Sequence, residues 1–174
     1  MSCLLHSYDR AVRPATADGG VVTVDFEMKL LHVMELSTKT GVLRAQGWLE
    51  KSWIDPQLTW NPSDYESSIT NIRIPAKKIW TPDIVQYHNV GDHDLSTMDV
   101  KAVVNSNGTV TWSTFIKLAA RCHELMGGFP MDYHHCVIVF GSWTYNHTQV
   151  IVNDTNIFIL QNCITHSIFL VVLT

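Results

Sequence analysis

Between Val22 and Leu30 the chain alternates. Val22, Val24, Phe26, Met28 and Leu30 fall on one side, and Thr23, Asp25, Glu27 and Lys29 on the other. A period of two marks a strand with one dry face and one wet face. The pattern restarts after the turn signal Thr40-Gly41 and predicts a second strand from Val42 to about Trp53. Asn61-Pro62-Ser63-Asp64, Pro75 and Pro82 break the middle of the chain into loops and short strands. Asn105-Ser106-Asn107-Gly108 has the chemistry of a hairpin turn between Asp99–Val104 and Thr109–Trp112. Phe115–Cys122 and Cys136–Trp143 predict two more strands. Only the start reads as helical: Leu4–Val12 predicts a short helix that ends before Pro14. Many short strands, with turns about every ten residues, predict an all-β sandwich or barrel. No internal repeat or linker divides the chain, so one domain is expected.

The length of 174 residues fits a single domain large enough to hold its own core. The net charge of −4 gives no electrostatic case for nucleic acid. Three sequons, at Asn107, Asn146 and Asn153, each have Thr in the third position and favour a secreted surface. Such a surface implies an oxidising compartment for Cys3, Cys122, Cys136 and Cys163. The first residues lack the basic, apolar and cleavage regions of a signal peptide. The tail from 156 to 174 is mostly apolar, but Gln161, Asn162, Thr165, His166 and Ser167 interrupt it. A membrane-spanning helix needs about 20 predominantly apolar residues. The tail reads instead as a buried strand or a non-native extension, with no assigned role.

Some residues do not fit a bland sandwich. In the second strand Arg44, Gln46, Trp48, Glu50 and Ser52 share one face, so Trp48 stands among groups that should meet water. It is either a stray surface aromatic or a ring held at an interface or pocket. Trp53, Trp60, Trp80, Trp112 and Trp143 complete a large aromatic set, with Tyr65, Tyr87, Tyr133 and Tyr145 beside them. Aromatic faces are negative and bind quaternary ammonium groups. Trp53 and Trp60 read as core, and Trp80, before Pro82, as core or site. Cys122 and Cys136 bound a fifteen-residue segment with two readings. It is a loop closed by a disulfide, or a zinc site made by Cys122, His123, His135 and Cys136. Zinc pairs are usually spaced more closely than this. The nine histidines are scattered, and no Gly-x-Ser-x-Gly, His-Glu-x-x-His or phosphate-binding loop is present, so no enzyme is expected.

With Phe129-Pro130-Met131-Asp132 inside it, the Cys122–Cys136 segment resembles the signature loop of the Cys-loop receptors, which are pentameric ligand-gated ion channels. Four further stretches resemble nicotinic acetylcholine receptor subunits in the same order. They are Leu5-His6-Ser7-Tyr8-Asp9 to Pro14; Trp48-Leu49 through Trp53-Ile54-Asp55 to Trp60; Ile79-Trp80-Thr81-Pro82-Asp83-Ile84 to Tyr87; and Phe140-Gly141-Ser142-Trp143-Thr144-Tyr145. The resemblance covers about residues 4 to 155.

The resemblance implies an all-β fold, with a short N-terminal helix and then an immunoglobulin-like twisted β-sandwich. It implies a Cys122–Cys136 disulfide and a signature loop carrying Phe129, Pro130 and Asp132. Homologous subunits would assemble as a homo- or hetero-pentamer and bind a small cationic neurotransmitter between neighbours. Tyr87 and Trp143 would lie on the principal face, with Trp143 as the cation–π platform. Trp48, Val103, Thr111 and Ser113 would lie on the complementary face. Trp53, Trp60, Trp80 and Asp83 would be structural. No cofactor or metal is implied. The expected location is the extracellular face of the plasma membrane, or secreted. The chain lacks the vicinal cysteines of α-type subunits, and the match fades after about Val152. The expectation is therefore an incomplete ligand-binding domain over residues 1–155, without its last strands or its channel domain. The alternatives are a soluble acetylcholine-binding module and a truncated subunit that modulates receptor assembly.

Overall fold

The computed structural model describes residues 4–14, 19–65, 68–91, 100–125, 133–154 and 168–173. Strands dominate: β1 (Val22–Ser37), β2 (Val42–Thr59), β3 (Asn71–Pro75), β4 (Ile84–Tyr87), β5 (Lys101–Asn105), β6 (Asn107–Leu125), β7 (Tyr133–Ser142), β8 (Val150–Asp154) and β9 (Ile168–Leu173). The larger sheet has the order β3-β5-β6-β2-β1-β8. Its neighbours are antiparallel except β8, which runs parallel to β1. The smaller sheet places β7 between β4, antiparallel, and β9, parallel. β6 belongs to both sheets. It follows β2 as far as Arg121 and pairs with β7 from Cys122 to Leu125. A strand that changes sheets makes a corner of a sandwich. The ring of Phe26 on β1 meets that of Phe140 on β7, 5.1 Å between centroids, so the two sheets close over one core. The fold is the all-β, immunoglobulin-like sandwich that the alternation and the resemblance predict.

Two local features differ from expectation. Residues 4–14 form turns and bends in place of the predicted short helix. The Tyr8 and Val12 N–H groups reach back only three residues, to the Leu5 and Asp9 carbonyls. A nine-residue helix is marginal by itself. Here Asp9 accepts the Ala11 N–H at 2.9 Å, a local bond that competes with helix. Tyr8 and Arg10 are drawn to Asp55 and the Lys77 carbonyl. Secondly, Thr109–Trp112 and Phe115–Cys122 are one continuous strand, because β2 offers an unbroken edge opposite both. Within the apolar tail, Ile168–Leu173 is a strand alongside β7, one of the two readings the sequence offers for it.

The hairpin turn forms where its chemistry placed it. Gly108 adopts φ +86°, and a Cβ there would lie 2.6 Å from the Asp55 carbonyl oxygen. Only glycine meets both demands.

β2 alternates along nearly its whole length. Leu43, Ala45, Leu49, Trp53 and Leu58 are buried in its dry face. Two charged residues, Lys51 and Asp55, lie on the same face and are also buried. Asp55 accepts the Tyr8 hydroxyl at 2.6 Å and the Gln57 N–H at 3.0 Å. The Tyr8 oxygen in turn accepts the Trp80 N–H at 3.1 Å. Burial raises the Asp55 carboxyl, against the lowering effect of its two hydrogen bonds. Burial, then the bond to Asp55, raises the Tyr8 phenol. Lys51 sits between the sheets. Its Nζ lies 3.4 Å from the Ile84 carbonyl and 5.1 Å from the centre of the Trp112 ring. A carbonyl and a ring face are weak substitutes for water, so desolvation pushes the Lys51 ammonium down to about 8, against the pull of Asp83.

Both buried charges give measurable consequences. Tyr8→Phe leaves the Trp80 N–H without its acceptor and Asp55 with a single donor. The expected loss of stability is about 2 kcal/mol in urea denaturation. For Lys51 the folded value lies below the unfolded one. Over that interval the unfolded chain binds more protons, so stability rises with pH from about 8 to 10.5 and falls as pH drops back through that window. Lys51→Met removes this slope. The difference in stability between wild type and variant should change by about 3 kcal/mol between pH 7 and 10.5.

Candidate functional site

The chain turns out of β4 immediately after Tyr87. His88, at φ 54°, takes the left-handed conformation that makes the turn. Tyr87 is thereby left at the end of its strand, with its hydroxyl donating to the Ser142 carbonyl at 2.7 Å. Trp143 lies one residue beyond β7, although the pattern placed it within that strand. Its N–H donates to the carbonyl of Asp83, the residue next in register beyond the Ile84–Ser142 pair, at 3.3 Å. The Asp83 carboxylate accepts the Ser142 hydroxyl and both the N–H and the hydroxyl of Thr144. Burial pushes that carboxyl up, but these bonds outweigh it and hold it below its usual range. Asp83 thus fixes the residues on both sides of Trp143. Tyr145 is held as well, by its N–H to the Ser142 hydroxyl at 3.1 Å and by the Trp80 indole N–H to its own hydroxyl at 3.1 Å. Trp143 itself remains 73% exposed. Its ring centre lies 6.3 Å from that of Tyr87. The result is an open aromatic corner on a fixed backbone, suited to stacking or to a cation.

The second group lies on the outer face of the larger sheet. Register places Trp48 opposite Phe115, Glu50 opposite Ser113, Ser52 opposite Thr111, and Thr111 opposite Val103. Four predicted residues, Trp48, Val103, Thr111 and Ser113, therefore lie together across β2, β6 and β5. Trp48 is exposed and meets Phe115 edge-on at 5.6 Å. The Ser113 hydroxyl reaches Glu50 at 3.5 Å, and Lys29, opposite Trp48, pairs with Glu27 at 3.0 Å. Among the described residues no ring contact joins this group to Tyr87 and Trp143. Trp48 stands on the larger sheet, and Tyr87 and Trp143 at the ends of β4 and β7 in the smaller one.

Sequence reading missed Phe115 and Lys51. Phe115 continues the period-two run Thr111, Ser113 and could have been found from it. The structural assignments hold for Trp53 and Trp80, both buried and in edge-on contact at 5.8 Å. Trp60 is half-buried and donates its indole N–H to the Ile69 carbonyl at 2.7 Å.

Cys122 and Cys136 are cross-strand neighbours joined by a disulfide. That bond takes two of the four atoms the zinc reading required, and the zinc reading is withdrawn. Phe129, Pro130 and Asp132 of the signature loop lie outside the described residues, as do Cys3 and Cys163. Asn107, Asn146 and Asn153 are all exposed, at the β5–β6 turn, the β7–β8 turn and on β8. No helix among the described residues is long and apolar enough to cross a membrane.

The chain matches the family described as the neurotransmitter-gated ion-channel ligand binding domain over residues 1–166. It is 35% identical over 144 residues to a neuronal acetylcholine receptor subunit beta-4 of Gallus gallus, covering 82% of this chain and 30% of the relative. It is 36% identical over 147 residues to a neuronal acetylcholine receptor subunit non-alpha-3 of Carassius auratus, covering 84% and 31%. A neuronal acetylcholine receptor subunit beta-3 of Homo sapiens is 33% identical over 147 residues, covering 84% and 32%. The chain thus spans less than a third of the length of these relatives. With the sandwich, the disulfide and the family match agreeing, this chain belongs to the ligand-binding domains of the neurotransmitter-gated ion channels, a family of receptors and not of enzymes.

Proposed function

We propose that this domain binds an acetylcholine-like cation between neighbouring copies or homologous subunits of a pentamer, on the extracellular side of a ligand-gated channel. One subunit contributes Tyr87 and Trp143, and the next contributes Trp48, Val103, Thr111 and Ser113. The observation that carries this reading is the exposure of Trp143 on a backbone fixed by Asp83. A ring held open in water at 73% exposure, beside a second aromatic, lacks only a partner surface and a cation. The placement of Trp48 on the larger sheet and of Trp143 beyond the end of β7 in the smaller one supports a site shared between subunits. The relatives are acetylcholine receptor subunits named beta and non-alpha, which supports the ligand class.

A quaternary ammonium ion on an indole face gains about 2 kcal/mol when desolvated. Trp143→Ala should therefore weaken carbamoylcholine binding about thirty-fold in titration calorimetry of the assembled protein. Trp48→Ala should also weaken it. Mixing the two variants provides the decisive test. Where a Trp48→Ala subunit presents its intact Trp143 to the intact Trp48 of a Trp143→Ala subunit, a wild-type site reforms. Recovery of high-affinity sites in the co-assembled mixture is the expected outcome. Absence of recovery, with both variants assembling normally, overturns the shared site.

A further inference from the structure

Asn146 begins the tight β7–β8 turn. Its carbonyl accepts the N–H groups of Gln149 at 2.9 Å and Val150 at 3.0 Å. Its side-chain oxygen accepts the Thr148 hydroxyl at 2.7 Å. The two residues that define the sequon Asn146-His147-Thr148 are therefore bonded to each other. Asn146, His147 and Thr148 are all exposed, and the Asn146 Nδ2 makes no hydrogen bond among the described residues. Asn153 differs: it lies on a paired strand opposite Asp25, and its Nδ2 donates to the Asp25 carboxylate at 3.4 Å. A sugar on Asn153 would disturb that bond. A sugar on Asn146 projects from a turn and breaks nothing.

We infer that Asn146 carries an N-linked oligosaccharide that stands beside the Tyr87–Trp143 corner and limits access to it. Asn146 lies three positions after Trp143. Even a fully extended chain places their Cα atoms within about 11 Å. An N-linked oligosaccharide is bulky and stays in solvent, so its sweep from this turn covers an exposed ring at that distance. In the transfer step the Asn146 Nδ2 attacks the anomeric carbon of a lipid-pyrophosphate-linked oligosaccharide. The N–C bond forms, the bond from that carbon to the phosphate oxygen breaks, the lipid pyrophosphate leaves, and the nitrogen gives up one proton. Occupancy rests on the extracellular placement proposed above. The shielding rests on Trp143 remaining exposed and on no ligand.

The test directs the chain into the secretory pathway of a eukaryotic cell and maps the secreted glycopeptides by mass spectrometry. The expected result is oligosaccharide on Asn146, lost in both Asn146→Gln and Thr148→Ala and retained in Thr148→Ser. Secreted, folded chain with bare Asn146 overturns the inference. Access is read by acrylamide quenching of fluorescence, as the difference between the chain and its Trp143→Phe variant, before and after an endoglycosidase trims the sugar. A larger quenching constant after trimming is expected, and an unchanged one overturns the shielding. Neither readout uses the neurotransmitter, so failure of ligand binding leaves both results standing.

Discussion

A strand between two neighbours in a sandwich keeps one face dry, and β2 shows how much follows from that constraint. It pairs with β1 on one edge and with β6 on the other. Successive side chains must point in opposite directions. Because Leu49 and Trp53 go into the core, Trp48 has to face outward, beside whatever β6 presents at that register. There β6 presents Phe115, Ser113 and Thr111, and the exposed aromatic face arises without special backbone geometry. The same constraint drives Lys51 and Asp55 inward. The fold answers these two buried charges differently. Asp55 gains a phenol and an N–H, and so helps to anchor residues 4–14 to the sandwich. Lys51 gains a carbonyl, a ring and the field of Asp83, and its affinity for a proton falls.

The two aromatic faces owe their form to different parts of the molecule. Trp48 is presented by regular sheet, and its orientation depends on register alone. Trp143 is presented by irregular chain, and it depends on Asp83, which lies about sixty residues earlier in sequence. One carboxylate there replaces the ladder that β7 has just left. It takes three donors from the two residues that flank Trp143 and is itself kept charged by them. The binding role proposed for Trp143 needs such support, since a loosely held ring would pay its ordering entropy on each binding event.

Residues related by short-range rules could be read before the fold was known. Alternation placed Val22 to Leu30, Leu43 to Trp53 and the outward Trp48. The Asn-Gly turn placed the hairpin and, with it, Thr111 beside Val103. The family motifs placed Tyr87 and Trp143. What could not be read was long-range partnership. Nothing local says that Tyr8 will bond Asp55 in place of helical neighbours, or that Asp83 will hold Ser142 and Thr144. The alternation does put Lys51 inward, but its charge argues the other way, and only the Ile84 carbonyl and the Trp112 ring show how burial is tolerated. Strand ends were also poorly legible: β6 runs through Ser113 and Thr114 because β2 is there to receive it, and β7 gives way at Trp143, where the Asp83 side chain takes the N–H and hydroxyl of Thr144.

The parallel pairing of β1 with β8 sets an order of events. Val22 lies opposite Val150, so the first strand of the domain finds this neighbour only after 128 more residues have been made. β1 and β2 can meet early through their short turn, but the other edge of β1 from Val22 to Phe26 waits for β8. Contacts of such separation slow folding, and an open strand edge invites pairing with other chains in the meantime. The Val22–Phe26 edge of β1 is thus the part of the described sheet whose partner is made latest after it during synthesis.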